Sequence, residues 1–303
     1  MGKEIFPRDS IPLTTSSELP LLKNPDKKVD IGPGTLLWEY GGDWRIGYTG
    51  PAAGLMQLLH PTIGAAVNSK HSNFLEDPWG RIFRSLPEIL GSIYDPDAEE
   101  TGLRIRNYHT GIKGQDENGR NYHALNPEAF WWAHATFHVM VEDSIDRFDK
   151  RKLSPEDRED LYKQTNEWYS RYNVRTDKMP ETYKSFQEKW ENVCANDLEL
   201  TPAAKIIIGQ LNDRTVEPIQ QIPKWLWRSG LRIPTNEFFR LTAIGGLPND
   251  VRLKFKIPWS RFDQTRLDSI EELVKLSWPL VPKRFRYHER AKAGMEARQQ
   301  QAA

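Results

Sequence analysis

Short polar residues stand directly before a proline and a stretch with helical spacing at, among other places, Asp77–Pro78, Asn126–Pro127 and Thr201–Pro202. A side-chain oxygen at that position satisfies the free amide donors of a first helical turn, and a proline just after it forfeits no hydrogen bond. Each pair therefore reads as a helix start, for "WGRIFRSL", "EAFWWAHATFHVMVEDSIDRF" and "AAKIIIGQL". Asp97 with Glu100, and Ser154 with Asp157, add two capping-box starts, and "SRFDQTRLDSIEELVKL" adds a further helix. Pro51 opens a short helix, "PAAGLMQLLH", which Pro61 interrupts. Only "RLKFKI" alternates as a strand would, and it is short. With no repeat period and no Gly/Ser linker, the pattern predicts an all-α fold: a single helical domain over 35–290. An irregular N-terminal arm over 1–34 carries five prolines, and a polar, frayed tail covers 291–303.

Charge and cysteine content narrow the function classes. Lys plus Arg and Asp plus Glu are 42 each in 303 residues, so no global field points to nucleic acid or an anionic membrane. The single Cys194 excludes an internal disulfide and any cysteine-ligated zinc or iron–sulfur cluster. Eleven tryptophans imply a large apolar interior that still needs hydrogen-bond acceptors. The opening "MGKEIFPRDS" lacks an apolar signal core, Phe6 spoils a myristoylation pattern, and no run reaches membrane-spanning length. The expectation is a cytoplasmic protein with no integral membrane segment.

Six of the seven histidines fall between residues 60 and 138: His60, His71, His109, His123, His134 and His138. Neutral imidazole is the commonest protein metal ligand, so this concentration is the strongest chemical signal in the chain. In "RIRNYHTGIKG", Ile105, His109 and Ile112 share one helix face, and Arg106 lies one turn before the histidine. A haem-ligating histidine sits on a helix among apolar neighbours, and an arginine beside it suits a propionate. Alone, a histidine on an apolar face is more often a core residue. In "RIFRS", Arg81 and Ser85 face one way with Arg84 beside them, a set suited to an anion or a small ligand. In "HATFHVMVE", His134, His138 and Glu142 recur every fourth residue, which fits a non-haem iron or zinc stripe, though core packing with backbone-bonded imidazoles is the stronger reading. No glycine-rich phosphate loop, nucleophile elbow or dinucleotide fingerprint is present.

The order of these stretches carries more than any one of them. "GGDWRIGYTGPAAGLMQLLHPTIGAAVNSKHSNFLEDPWGRIFRSL", then "RIRNYHTGIKG", "YHALNPEAFWWAHATF" and "GLPNDVRLKFKIPWS" together resemble the MpaB/rubber-oxygenase catalytic-domain family over roughly residues 35–290. The resemblance implies a haem b (iron) in a globin-like helical core and dioxygen as co-substrate. It also implies an oxygenase activity that in assigned members cleaves carbon–carbon double bonds of isoprenoids. The family's Arg-x-x-His pattern falls on Arg106 and the proximal iron ligand His109. Its distal Arg-x-x-Lys-Thr pattern falls on Arg81, Arg84 and Ser85. Where some members have a lysine able to ligate iron, this chain has Arg84, whose guanidinium offers no lone pair. The sixth position is then open, or held by water or His71. A second departure is that no residue here matches the acid assigned as the base in rubber oxygenases. Glu76 and Asp77 are the nearest carboxylates, but Asp77 already caps a helix, so the substrate need not be rubber. The resulting expectation is a haem-dependent oxygenase of a small hydrophobic substrate such as an isoprenoid, lipid or aromatic metabolite. Phe83, Leu86, Trp131, Trp132 and Phe137 are expected wall residues. Two alternatives remain at this level: a non-haem metal enzyme on His134, His138 and Glu142, and a non-catalytic haem-binding or sensor protein. The segment "KRFRYHERAKAGMEAR" reads as the arm of a homodimer or as a solvated helix.

Overall fold

The helix starts written in the sequence are made by side chains. In the computed structural model, which describes residues 29–68, 74–218 and 222–302, Asp77 Oδ1 accepts from the Gly80 amide at 2.9 Å. Asn126 Oδ1 accepts from Glu128 and Ala129 at 2.9 and 3.3 Å, and Ser154 forms a complete capping box with Asp157. Thr201 accepts from Ala204 at 3.2 Å. The helices that follow are α1 (Leu36–Tyr40), α2 (Ile46–Leu58), α3 (Pro61–Val67), α4 (Pro78–Tyr94) and α5 (Ala98–Tyr108). After a short hairpin come α6 (Pro127–Phe148), α7 (Pro155–Ser170), α8 (Tyr183–Asn192), α9 (Pro202–Asp213) and α10 (Lys224–Leu226). The chain ends with α11 (Arg232–Gly245), α12 (Asn249–Lys254), α13 (Arg261–Ser277) and α14 (Glu289–Ala302). The fold is predominantly all-α, as expected. No helix among the described residues is long and apolar enough to cross a membrane.

The central element is α6. Trp131, Trp132, Ala135, Met140, Val141, Ile145 and Phe148 are all buried on it, because α2 lies along one side and α7, α13 and α1 close the others. Tryptophans extend this core outward: Trp132 stacks on Trp190 at 4.5 Å between ring centres, and its Nε1 donates to Met56 O. Such a helix has no broad polar face, so its few polar side chains must find partners inside the protein.

Several expectations change. The α2 helix begins at Ile46, five residues before Pro51, which it carries inside. Asp97 precedes α5 without any side-chain cap bond, and α5 stops at Tyr108, so His109 and Ile112 do not continue one helix. "RLKFKI" is no strand: Arg252–Lys254 end α12, and Lys256 takes a positive φ of 53° in the turn after it. The strands are instead β1 (Lys113–Gln115) and β2 (Asn121–His123), antiparallel. The turn between them uses Gly119 at φ 76°, where glycine pays no steric penalty. The tail expected to fray is α14, docked by Ala291 against Gly42, where a Cβ would lie 2.3 Å from it.

Close backbone approach also sets the α5 position. A Cβ at Gly102 would fall 2.3 Å from Arg171 O, at the end of α7. Gly102→Ala should therefore destabilise the protein by about 1–3 kcal/mol through overpacking. Exposed Gly47 in α2 has nothing within 4 Å of the same position, so Gly47→Ala should gain about 0.4–1 kcal/mol. Thermal denaturation of the two variants checks the contrast; equal midpoints would remove the packing argument.

Candidate functional site

His109 ends α5, and the way the helix ends fixes its ring. Its backbone amide bonds Arg106 O, three residues back, at 2.9 Å. That tightened last turn leaves Ile105 O without the amide four residues on, and His109 Nδ1 takes it at 2.7 Å. A carbonyl can only accept, so Nδ1 carries the proton and Nε2 carries the lone pair. Among the described residues no hydrogen bond reaches Nε2. The ring stands nearly perpendicular to that of Phe130 of α6, with 5.6 Å between ring centres. Burial pushes the imidazole pKa down; the Ile105 bond opposes this and the Arg81 charge reinforces it. The result is a neutral ring with a fixed tautomer and one open nitrogen, the form a metal ligand needs.

The charge felt at that ring is Arg81, on the first turn of α4. Asp77 and Pro78 start this turn, and Trp79 anchors it by donating to Glu217 O at 2.8 Å and packing on Phe239 at 5.0 Å. Arg81 is partly buried, and its pKa is lowered by burial and by Arg84. Among the described residues its guanidinium has neither a hydrogen bond nor an ion pair. Arg84 behaves differently: it is exposed and pairs with Asp77 at 3.5 Å. Ser85 is half-buried one turn beyond Arg81, and Phe83 and Leu86 are half-buried on the same helix. Arg81 thus lies near enough to His109 for its charge to lower the imidazole pKa. His71 lies outside the described residues.

Arg106, expected beside a propionate, is buried and donates to Asn173 O and Oδ1 at 3.2 and 3.3 Å and to Asn107 Oδ1. Asn173 sits at φ 51° in the turn after α7. Arg106 therefore ties the last turn of α5 to α7, directly behind His109. Sequence spacing could not show this, because the partner lies 67 positions away.

The His134–His138–Glu142 stripe is overturned as a metal site by where its atoms point. His134 Nε2 donates to Thr165 O at 2.7 Å, and its ring stands edge-on to Trp168 at 4.6 Å. His138 Nδ1 is 3.0 Å from Thr165 Oγ1, and its Nε2 lies 3.3 Å from Glu142 Oε2. Glu142 also holds Arg158 and the Tyr183 hydroxyl. Burial pushes the Glu142 carboxyl up, but His138, Tyr183 and Arg158 outweigh it and hold it below the usual range. Among the described residues no cluster of histidine, cysteine and carboxylate side chains could hold a metal ion. The stripe is a buried network tied to α7 and α8, although His134 Nδ1 and His138 Nε2 take no hydrogen bond in it. Thr165, Tyr183 and Arg158, which the sequence reading missed, arrive from α7 and α8 and leave no signal in the α6 spacing.

The remaining expected residues have structural places. His123 Nδ1 accepts the Leu125 amide at 3.0 Å in the turn before α6. Trp131, Trp132 and Phe137 are core rather than pocket wall beside His109; Phe137 stacks on Trp168 at 5.8 Å. His60, Trp131, Trp132 and Lys189 do line a separate cavity of about 280 Å³. Buried Cys194 has its thiol pushed up to about 12 by burial, which makes it a poor nucleophile.

A sequence profile described as "ER-bound oxygenase mpaB/B'/Rubber oxygenase, catalytic domain" matches residues 38–276. No curated protein and no solved structure matches the chain.

Buried imidazoles also fix a pH dependence. His60 is lowered to about 4 and His134 to about 3 by burial, from an ordinary value of 6.5. Between about pH 6 and pH 4 the unfolded chain binds protons at both, and the folded chain does not. Asp143, raised to about 6 by burial, works the other way and binds a proton only when folded. The net excess of about one proton in the unfolded state costs about 1.4 kcal/mol of stability per pH unit as pH falls. Part of Asp143 stays in water, which shrinks its opposing share. His134→Gln should lessen the loss between pH 6 and pH 4 by about 1.4 kcal/mol per unit, as read from urea midpoints. An unchanged slope would count against a buried neutral His134.

Proposed function

Because the chain belongs to the MpaB/rubber-oxygenase catalytic-domain family, we propose that it is a haem b-dependent oxygenase of a small hydrophobic substrate, with His109 as the proximal iron ligand. The family is that of an oxygenase catalytic domain, and the reading goes one step further on one observation. His109 is held neutral, with Nδ1–H on Ile105 O and Nε2 free, beside an arginine that pairs with no carboxylate. These residues fit a haem: a neutral nitrogen donor for iron, a guanidinium for a propionate, and the perpendicular Phe130 ring to hold the imidazole plane. Bound haem would supply the redox and dioxygen chemistry that no side chain here can supply.

The protein's own residues have distinct tasks on this reading. The Ile105 carbonyl orients the His109 ring and raises the donor strength of Nε2. The low imidazole pKa keeps that nitrogen unprotonated at neutral pH. Arg81 binds the anionic edge of the cofactor or hydrogen-bonds an oxygen of the reacting pair. Arg106 is a positioning residue that keeps the α5 end against α7. Arg84 has no lone pair to offer iron and is occupied with Asp77. Ser85, one turn from Arg81, is the remaining hydroxyl donor on that face. The substrate class is an isoprenoid, lipid or aromatic metabolite, and dioxygen is the co-substrate.

The test is the absorption spectrum of protein purified after expression with haem precursor, before and after dithionite and carbon monoxide. A Soret band at near one haem per chain is expected in the wild type. His109→Ala should lose it, Arg81→Gln should weaken haem retention by about tenfold, and Arg84→Gln should leave it unchanged. Full haem in His109→Ala would overturn the ligand assignment. Haem bound through His109 without dioxygen-dependent turnover of any alkene or phenol would make the protein a carrier or sensor instead.

A further inference from the structure

Leu273 and Leu276 on α13 and Leu280 in the following 3₁₀ turn (Trp278–Leu280) fall three and four residues apart. They are 66%, 57% and 83% exposed, and Phe285 in the next turn (Lys283–Phe285) is 59% exposed. Four large apolar side chains standing proud within thirteen residues are not core residues left over at an edge. The turns that carry Leu280 and Phe285 are tied to the domain. Arg286 closes them by donating to Val281 O at 2.6 Å and Pro279 O at 2.9 Å. Trp278 Nε1 reaches buried Asp43 at 3.3 Å. The far side is pinned by Trp44 N to Arg286 O at 2.8 Å and His288 N to Gly42 O at 2.9 Å.

The charge of this segment is one-sided beyond Lys275, which pairs with Glu272 at 3.9 Å, although the whole chain is neutral. From Leu273 to Arg286 it holds Lys275, Lys283, Arg284 and Arg286 and no aspartate or glutamate. Lys283 and Arg284 pair with no carboxylate among the described residues. The Arg284 guanidinium lies 4.7 Å over the Phe285 ring, so cation and apolar ring are presented together. A second copy of the chain meeting this face across a twofold axis would set these cations against themselves. An anionic bilayer meets both needs: its interface takes the apolar tips, and its phosphate and carboxylate headgroups take the cations.

We propose that Leu273, Leu276, Leu280 and Phe285, with Lys283 and Arg284, form a peripheral membrane-docking surface for anionic lipid. The inference stands whether or not His109 binds haem. Docking would place the domain at the phase where hydrophobic molecules concentrate.

The full chain should co-sediment with phosphatidylcholine vesicles carrying phosphatidylserine and not with phosphatidylcholine alone, and added salt should weaken the binding. Lys283→Gln with Arg284→Gln removes two cations and should cost roughly fivefold in partitioning for each. Leu280→Ser with Phe285→Ser should cost at least about tenfold. All four side chains are exposed, so thermal midpoints should stay at the wild-type value. No binding to the anionic vesicles, or unchanged binding by both double variants, would overturn the proposal. So would a dimer in light scattering that the Leu280/Phe285 variant dissociates, because the face would then belong to a second copy.

Discussion

A helix buried nearly all round must have every polar side chain answered from within, and α6 carries two imidazoles and a carboxylate in that position. Leaving any of them unpaired would cost about 1–3 kcal/mol or more for the charged group. The answers come from α7 and α8: Thr165 meets both histidines, and Arg158 and Tyr183 meet Glu142. These bonds are directional where apolar packing is not. They fix the rotation and register of α7 and α8 on α6, which the surrounding Trp168, Tyr162 and Phe186 rings alone would hold loosely.

That register carries through to the candidate site. With α7 fixed, its end presents Asn173 to Arg106 and Arg171 O to Gly102, and these two contacts locate α5. With α6 fixed, Phe130 faces the His109 ring. The last step is local: the tightened end of α5 frees Ile105 O, one of the carbonyls a helix terminus leaves unpaired, and the side chain of His109 takes it. A residue at a helix cap thereby gains the orientation that a mid-helix side chain would gain from packing.

This chain of dependence explains what could be read in the sequence. The helix starts at Asp77, Asn126, Ser154 and Thr201 were legible because cap and amide lie within three residues. The family was legible from the order of its stretches, and His109 as an ionisable ring in an apolar stretch. The stripe His134–His138–Glu142 was ambiguous in principle, since a metal shell and a satisfied core share the same helical period and differ only in what another helix brings. The role of Arg106 was hidden for the same reason. The hairpin over 113–123 was missed because strands of three residues carry almost no alternation, and only the turn at Gly119 marks it.

Arg81 is the residue that local and global order do not account for. Other buried or half-buried arginines have partners that the fold supplies: Arg45 has Asp43 and Asp149, Arg240 has Glu237 and Asp263, Arg171 has the carbonyls of Ser92 and Ile93, and one Arg252 amino group has those of Ile244, Gly245 and Leu247. Arg81 receives nothing comparable among the described residues, and its charge lowers the pKa of His109, whose Nε2 takes no hydrogen bond among them. A partly desolvated cation without a partner lowers stability, and folds keep such a group where a ligand completes it. An anion that binds Arg81 relieves that cost and removes a positive charge from beside His109. On the proposed function these two departures from good packing form one site, in which a bound haem would supply both the missing counter-charge and the missing partner of a nitrogen.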